Sequence, residues 1–402
     1  MLINNFMNYK KLLSNLAAVA LILAVCVGIS ACGSKKDEPE EKTVEHTVIV
    51  YMAACNSLGS GGYDQRDLTE MQEAVSTHTL AGNVLVYRGD VDGNAKLYRM
   101  TPQGLSPLRD YVGDGLSSVH SERMINVLKD ARTLSPSNSY GLVLWSHGNG
   151  WLQTGMEDTE TQTQTLAWGE DRGRLMNITT LRRVLATTGA WAYVYFDCCF
   201  MASVEVEYEL RNTTPYIVGS ATELLLDGMP YEQNIPCLFE YANGGLERAA
   251  TNTFNYYDSK TSPKDRTCTI SVIRTAGFDE LASACRAILQ RGGGKLPDDF
   301  RQQPFMVQSR CWYYDLQHYY EGLCEAIGED GDALLTRLNN ALDNMVVYRA
   351  ATPRLWNRIP LEYHCGLSTY PLENIDAATT KNYNTLAWYT DVSSHAFATA
   401  EN

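Results

Sequence analysis

Paired cysteine spacing is missing from this chain. Its eleven cysteines include no C-x-x-C pair and no Cys/His zinc pattern, and nine follow residue 32, at 55, 198, 199, 237, 268, 285, 311, 324 and 365. An odd set without repeating spacing indicates neither a disulfide framework nor a zinc ribbon, and leaves at least one free thiol. A G-x-S-x-G elbow, an EF-hand loop and an internal repeat are also absent. Positive charge is scarce: 33 Lys and Arg stand against 47 Asp and Glu, a formal charge of −14. Such a balance argues against nucleic acid or an anionic membrane surface as partner and favours basic substrates.

A long membrane span is missing too. The apolar stretch from Leu16 to Ala31 follows Lys10 and Lys11 and is shorter than the roughly 20 residues a spanning helix needs, so residues 1–31 read as an export signal. Ile29-Ser30-Ala31-Cys32 resembles a bacterial lipobox. That resemblance implies cleavage before Cys32, a lipid on its sulfur, and a lipoprotein of the bacterial cell envelope, in the outer membrane and facing either the periplasm or the surface. Residues 32–45 are a charged tether, too polar to fold alone.

The whole chain is 45% apolar, and what remains is long enough for a large core. "HTVIVYMAA" (46–54), "NVLVYRGD" (83–90), "SYGLVLWSHGNGW" (139–151), "AYVYFDCC" (192–199) and "TPYIVGSATE" (214–223) are β-rich runs. Helical spacing appears in "LTEMQEAV", "SERMINVLKDAR" and "ITTLRRVLA" between them. Continuous apolar strands separated by helices describe an α/β fold with a parallel-rich sheet buried on both faces, here over 46–240. In 241–402, "CTISVIRT" reads as a strand, "FDELASACRAILQ" as a helix and "LLTRLNNALDNMVVYRA" as a longer helix, an appended α/β portion packed on the core.

Ligands of such sheets bind beyond the carboxyl ends of the strands. His147 lies past one end, Asp197, Cys198 and Cys199 past a second, and Ser220 to Glu223 past a third. A thiolate attacks carbonyl carbon and an imidazole manages its proton, so a histidine brought to a cysteine on one sheet edge makes an acyl-transfer site. The helix between them supplies the crossover, and the 52 positions from His147 to Cys199 approach the roughly 50 of caspases. "HGNG" also imitates an esterase oxyanion loop, but the missing elbow leaves an esterase without its serine. Two buried strand cysteines remain the alternative for Cys198 and Cys199. Asp197 suits a guanidinium, or alternatively the amino terminus of the next helix.

"LWSHGNGW" and "FDCCFM" together resemble the histidine and cysteine motifs of the clostripain family of cysteine peptidases. "IVYMAACNSL", "VGSATELLLDGMPY" and "CGLSTYPL" extend the resemblance over most of the chain after the tether. It implies a caspase-like fold and an endopeptidase that cleaves after Arg, or after Lys, through a His147–Cys199 dyad and a thioester. It also implies an oxyanion hole from the N–H groups of Gly148 and Cys199, and an S1 pocket from Asp197, with Glu223 and Asp227 as weaker candidates. Self-cleavage at Arg172 or Arg174 would activate it. No cofactor is required; calcium activates some members, and the acidic loop residues Glu157, Asp158 and Glu160 could bind it, a solvated acidic loop being the alternative. Partners are peptides or proteins with basic residues, and the molecule is expected to be a monomer. The alternative is an inactive surface lipoprotein that binds basic peptides in the same cleft. Cys55 and Phe200 depart from the family's residues at their positions.

Overall fold

In β1 (Val44–Ala53), residues of one parity, Ile49, Tyr51 and Ala53, enter one apolar core, while Val48, Val50 and Met52 enter another. Side chains of a strand alternate between faces, so a continuous apolar run can exist only in a sheet covered on both sides. The computed structural model describes residues 42–152, 156–157, 168–306, 311–374 and 382–396, with only the backbone at 156–157. The signal, Cys32, most of the tether, and the Asp158 and Glu160 expectation lie outside the described residues, as does the side chain of Glu157.

Eight further strands complete the sheet: β2 (Gly82–Gly89), β3 (Ala95–Thr101), β4 (Gly104–Asp110), β5 (Ser137–Trp145), β6 (Tyr193–Asp197), β7 (Tyr216–Gly219), β8 (Thr269–Arg274) and β9 (Val346–Ala351). Their order is β9-β8-β7-β6-β5-β1-β2-β3-β4. The five central strands from β7 to β2 run parallel, and antiparallel pairs flank them on both edges. Strands from both sides of residue 240 therefore share one sheet.

The first core is covered by α2 (Ser121–Leu134), α3 (Ile178–Thr188), α4 (Val204–Leu210), α7 (Phe278–Gly292), α8 (Leu316–Ile327), α9 (Gly331–Met345) and α10 (Ala387–Asp391). The other is covered by α1 (Tyr63–Thr77), α5 (Tyr231–Phe239) and α6 (Gly245–Asp258). Side-chain caps start several helices: Asn177 accepts from Thr179 N–H ahead of α3, and Ser203 from Val206 N–H ahead of α4.

One expected helix is shorter than its pattern. The reading over "LLTRLNNALDNMVVYRA" ran on to Ala350, whereas α9 ends at Met345 and Val346–Ala351 pairs antiparallel with β8. The β-branched Val346 and Val347 suit a strand, and the unpaired edge of β8 supplies the partner that a helical pattern cannot reveal. All nine described cysteines are free thiols.

Candidate active site

β5 ends at Trp145, and the next two residues begin the site. Ser146, buried, donates its hydroxyl to the Ala53 carbonyl at 2.8 Å and accepts from Glu170 N–H at 3.0 Å. This ties the start of the histidine turn to the end of β1 and to a hairpin of Trp168–Asp171 and Arg174–Met176. The His147 carbonyl accepts from Gly169 N–H at 3.0 Å on that hairpin. The His147 Nε2 lies 2.8 Å from the Ser57 hydroxyl and 3.9 Å from Glu170 Oε2. Burial lowers the His147 pKa, with the Glu170 charge opposing.

The cysteine turn leaves β6 beside it. A β-carbon built on Gly148 would fall 2.5 Å from the Cys199 carbonyl oxygen and 3.1 Å from Cys199 N, so the two turns touch backbone to backbone. Only glycine permits that approach. Phe200, the residue after Cys199, adopts φ 61°, a conformation costly for a bulky side chain. It is held there by its N–H on the Thr222 carbonyl at 2.9 Å and by stacking on Tyr313 with ring centroids 4.7 Å apart. The two cysteines before it sit in different surroundings. Cys198 is buried in the first core with its thiol toward the Leu144 carbonyl, whereas Cys199 is partly exposed between the cores.

The Cys199 thiol is engaged by one residue. Leu224 N–H donates to the sulfur at 3.3 Å, and the Leu224 carbonyl accepts from it at 3.4 Å. Burial pushes this thiol up to about 12, with the Leu224 N–H opposing and the Glu223 charge adding to the rise. The imidazole and the thiol are thus occupied by Ser57 and Leu224 rather than by each other.

The acids divide by role. Asp197 is buried and accepts from Met229 N–H at 3.0 Å and Tyr231 Oη–H at 2.9 Å, while Ser203 caps α4. The alternative that Asp197 caps the following helix is therefore corrected: the carboxylate faces the segment after Leu224, whose Gly228 closes over it. Burial raises Asp197 to about 7 against those two hydrogen bonds. Behind it, fully buried Asp67 accepts from Trp145 Nε1–H at 2.7 Å and rises to about 8, through burial first and the Asp197 charge second. Asp227 is neutralised by the chain's own cations, Arg66 at 2.7 Å and Lys260 at 2.9 Å, and accepts from Tyr256 Oη–H at 2.9 Å. Although burial opposes it, these partners hold Asp227 at about 2. Glu223 is half-buried against the Trp356 indole, and burial raises its pKa.

Arg172 sits at the tip of the hairpin with φ 54° and its Nε 3.3 Å from the Cys55 sulfur; Arg174 begins the returning strand. Among the described residues, no group of three or more His, Cys, Asp or Glu is arranged to hold a metal ion, and no helix is long and apolar enough to cross a membrane. Sequence reasoning missed Ser57, Asn56, Glu170, Asp67 and Leu224. Their identity carries no chemical signature; only Asn56, ahead of a Ser-Leu-Gly-Ser turn, shows the cap pattern that could have drawn attention.

Comparison with known proteins places this geometry. The family model described as the clostripain family matches residues 50–393. A secreted C11 cysteine protease from Bacteroides thetaiotaomicron, solved in complex with an irreversible peptide inhibitor, is 29% identical, covers 87% of this chain and 99% of its own, and superposes with a TM-score of 0.71. An inactive zymogen C11 protease from Parabacteroides distasonis is 26% identical with the same coverages and a TM-score of 0.71. A second secreted B. thetaiotaomicron protease, iotapain, is 20% identical with a TM-score of 0.74, a likeness of fold. Curated protein sequences contain no significant match. With a family model spanning nearly all of the described chain, over a mostly parallel sheet flanked by helices, this protein belongs to the clostripain family of cysteine peptidases and has its caspase-like α/β fold.

Proposed function

We propose that this peptidase is an endopeptidase that cleaves after arginine, or after lysine, with Cys199 as nucleophile and His147 as its proton carrier. The contact of Gly148 with the Cys199 backbone carries this reading, because it brings the two turns to one edge of the sheet. The imidazole takes the thiol proton, the thiolate adds to the scissile carbonyl, and the imidazolium returns the proton to the leaving amine. Among the described residues, the N–H groups of Gly148 and Cys199 carry no hydrogen bond, which suits donors awaiting an oxyanion. Water then hydrolyses the thioester.

Asp197 is the acid for the P1 side chain. It is a buried carboxylate next to the nucleophile that forms no ion pair among the described residues, and a bidentate guanidinium would keep it ionised. Asp227 serves instead as an anchor for the Leu224–Met229 segment. That segment covers Asp197 and occupies the Cys199 thiol, so activity requires it to move. The 26%-identical Parabacteroides protein was solved as an inactive zymogen, which supports activation by processing here too. Arg172 and Arg174 are the proposed cleavage points, and mass spectrometry of the maturing protein tests them. A lipid on Cys32 and activation by calcium are proposed alongside, checked by intact mass and by chelation.

The deciding experiment is hydrolysis of paired fluorogenic peptides, with Arg or a neutral residue at P1, by mature wild-type protein, Cys199→Ala and Cys198→Ala. Cleavage of the Arg peptide alone, abolished by Cys199→Ala alone, is the expected result. No cleavage by the mature wild type, with or without calcium, replaces the endopeptidase by a lipoprotein that binds basic peptides.

A further inference from the structure

The turn after β1 reaches the histidine through a single buried amide. Asn56 lies at the start of a helical turn, Ser57–Ser60, and its Oδ1 accepts from Leu58 N–H at 2.9 Å and Gly59 N–H at 3.3 Å. Its Nδ2 donates to the Ala53 carbonyl at 2.8 Å, to the Ser146 hydroxyl at 3.2 Å and to the Glu170 carbonyl at 2.9 Å. One side chain thus joins the end of β1, the residue before His147 and the hairpin that carries Glu170. The turn is folded back tightly: a β-carbon on Gly59 would fall 1.9 Å from the Ala54 carbonyl oxygen. Buried, fully bonded side chains of this kind define position.

Ser57 is the product of that frame. Its backbone is fixed by the Asn56 cap, its side chain is exposed, and its hydroxyl meets His147 Nε2 at 2.8 Å. The same nitrogen faces Glu170 at 3.9 Å, while among the described residues Nδ1 has no hydrogen-bond partner. A neutral imidazole carries one N–H and one lone pair, so the group bonded to one nitrogen decides what the other can do. Where the hydroxyl accepts from Nε2–H, the lone pair is left on Nδ1.

We infer that Ser57 is a positioning residue for His147, accepting Nε2–H so that Nδ1 is the base for the Cys199 thiol, with Asn56 holding the hydroxyl in place. The inference rests on the reading of His147 and Cys199 as the reacting pair. The balance is simple: the S–H bond breaks, an Nδ1–H bond forms, and the imidazolium is steadied at Nε2 by the Ser57 oxygen and the Glu170 charge. That proton later passes to the leaving amine, and Ser57 keeps its own hydrogen throughout.

The test uses the mature protein, an arginyl aminomethylcoumarin peptide, and the variants Ser57→Ala, Ser57→Thr and His147→Ala. Because Ser57 is exposed, Ser57→Ala should leave the thermal unfolding midpoint unchanged. Its kcat should fall about tenfold, the loss of one hydrogen bond to a charged group, with KM little altered. The titratable groups around His147 are Glu170 on the hairpin and Cys199 on the neighbouring turn. Loss of the acceptor at Nε2 disfavours the imidazolium, so the acid limb of the kcat profile should move to lower pH. Ser57→Thr, which keeps the hydroxyl, should restore both. A Ser57→Ala enzyme with wild-type kcat and acid limb, beside an inactive His147→Ala, overturns the inference and leaves the dyad standing. A deficit that Ser57→Thr does not recover also overturns it. An active His147→Ala would instead remove the reading beneath it.

Discussion

Replacing Gly148 by alanine tests whether contact between the histidine and cysteine turns sets the rate. The added β-carbon would lie 2.5 Å from the Cys199 carbonyl oxygen and 3.1 Å from both Cys199 N and the Cys198 β-carbon. Comfortable heavy-atom contacts begin near ~3.5 Å, so about 1 Å of separation must be found. Neither side yields easily. The cysteine turn is tied by Phe200 N–H to the Thr222 carbonyl and by Ala202 N–H to the Ser220 carbonyl, each at 2.9 Å, and the histidine turn by Gly169 N–H at 3.0 Å. Overpacking of this kind costs about 1–3 kcal/mol, and a misplacement of about 1 Å between reacting groups costs about a hundredfold in rate. The assay pairs kcat on an arginyl peptide with thermal unfolding. Gly293→Ala is the control, since Gly293 has φ +71° with nothing within 4 Å of the added carbon. With ψ −161° it lies in a region that essentially only glycine occupies, so the variant should lose about 1–3 kcal/mol through strain alone and keep its kcat. If Gly148→Ala retains kcat within a few-fold of wild type, the backbone contact does not position the reaction.

Three further outcomes follow from the charges. Asp67 and Asp197, at about 8 and about 7, hold protons that the unfolded chain releases near 4, so stability should fall as pH rises from about 4 to 8. Asp67→Asn, which still accepts from Trp145, should flatten that slope in urea midpoints taken at pH 5 and pH 8; an unchanged slope would assign it to other groups. Asp227 behaves oppositely: held at about 2, it stabilises above the ordinary carboxylate range and loses this as pH falls toward 2. Asp227→Asn should therefore be less stable than wild type at pH 7, with the two converging near pH 2, and its Cys199 should alkylate faster as the Leu224–Met229 segment loosens. Glu207 is fully buried, and among the described residues neither carboxyl oxygen has a hydrogen-bond partner. Glu207→Met, similar in volume, should raise stability by about 1–3 kcal/mol in urea unfolding, and a loss would mean that the carboxyl is satisfied in solution.

The parallel sheet was legible because its strands are apolar on both faces, and a run such as Val48 to Ala54, short and β-branched at its start, suits a strand rather than a buried helix. His147 and Cys199 were legible because each interrupts such a run with a polar group where a strand must end. The boundary at Met345 was not: the helical spacing of α9 continues into Val346–Ala351, and only the free edge of β8 turns that segment into a strand. Asp197 was recognised as a carboxylate with a task, but its helix-cap alternative fell only when Met229 and Tyr231 appeared as its donors.

By itself the sequence determined the fold class and the family, and it singled out the proposed reacting pair, since hydrophobic periodicity and short motifs are local properties of the chain. Only the tertiary structure decided what surrounds them. Ser57 and His147 are 90 positions apart, Cys199 and Leu224 are 25 apart, and Asp67 lies 78 before Trp145. These groups carry no mark of their role. Burial and close approach create it, by stripping water from carboxylates and thiols and by presenting one donor or acceptor to one ring nitrogen.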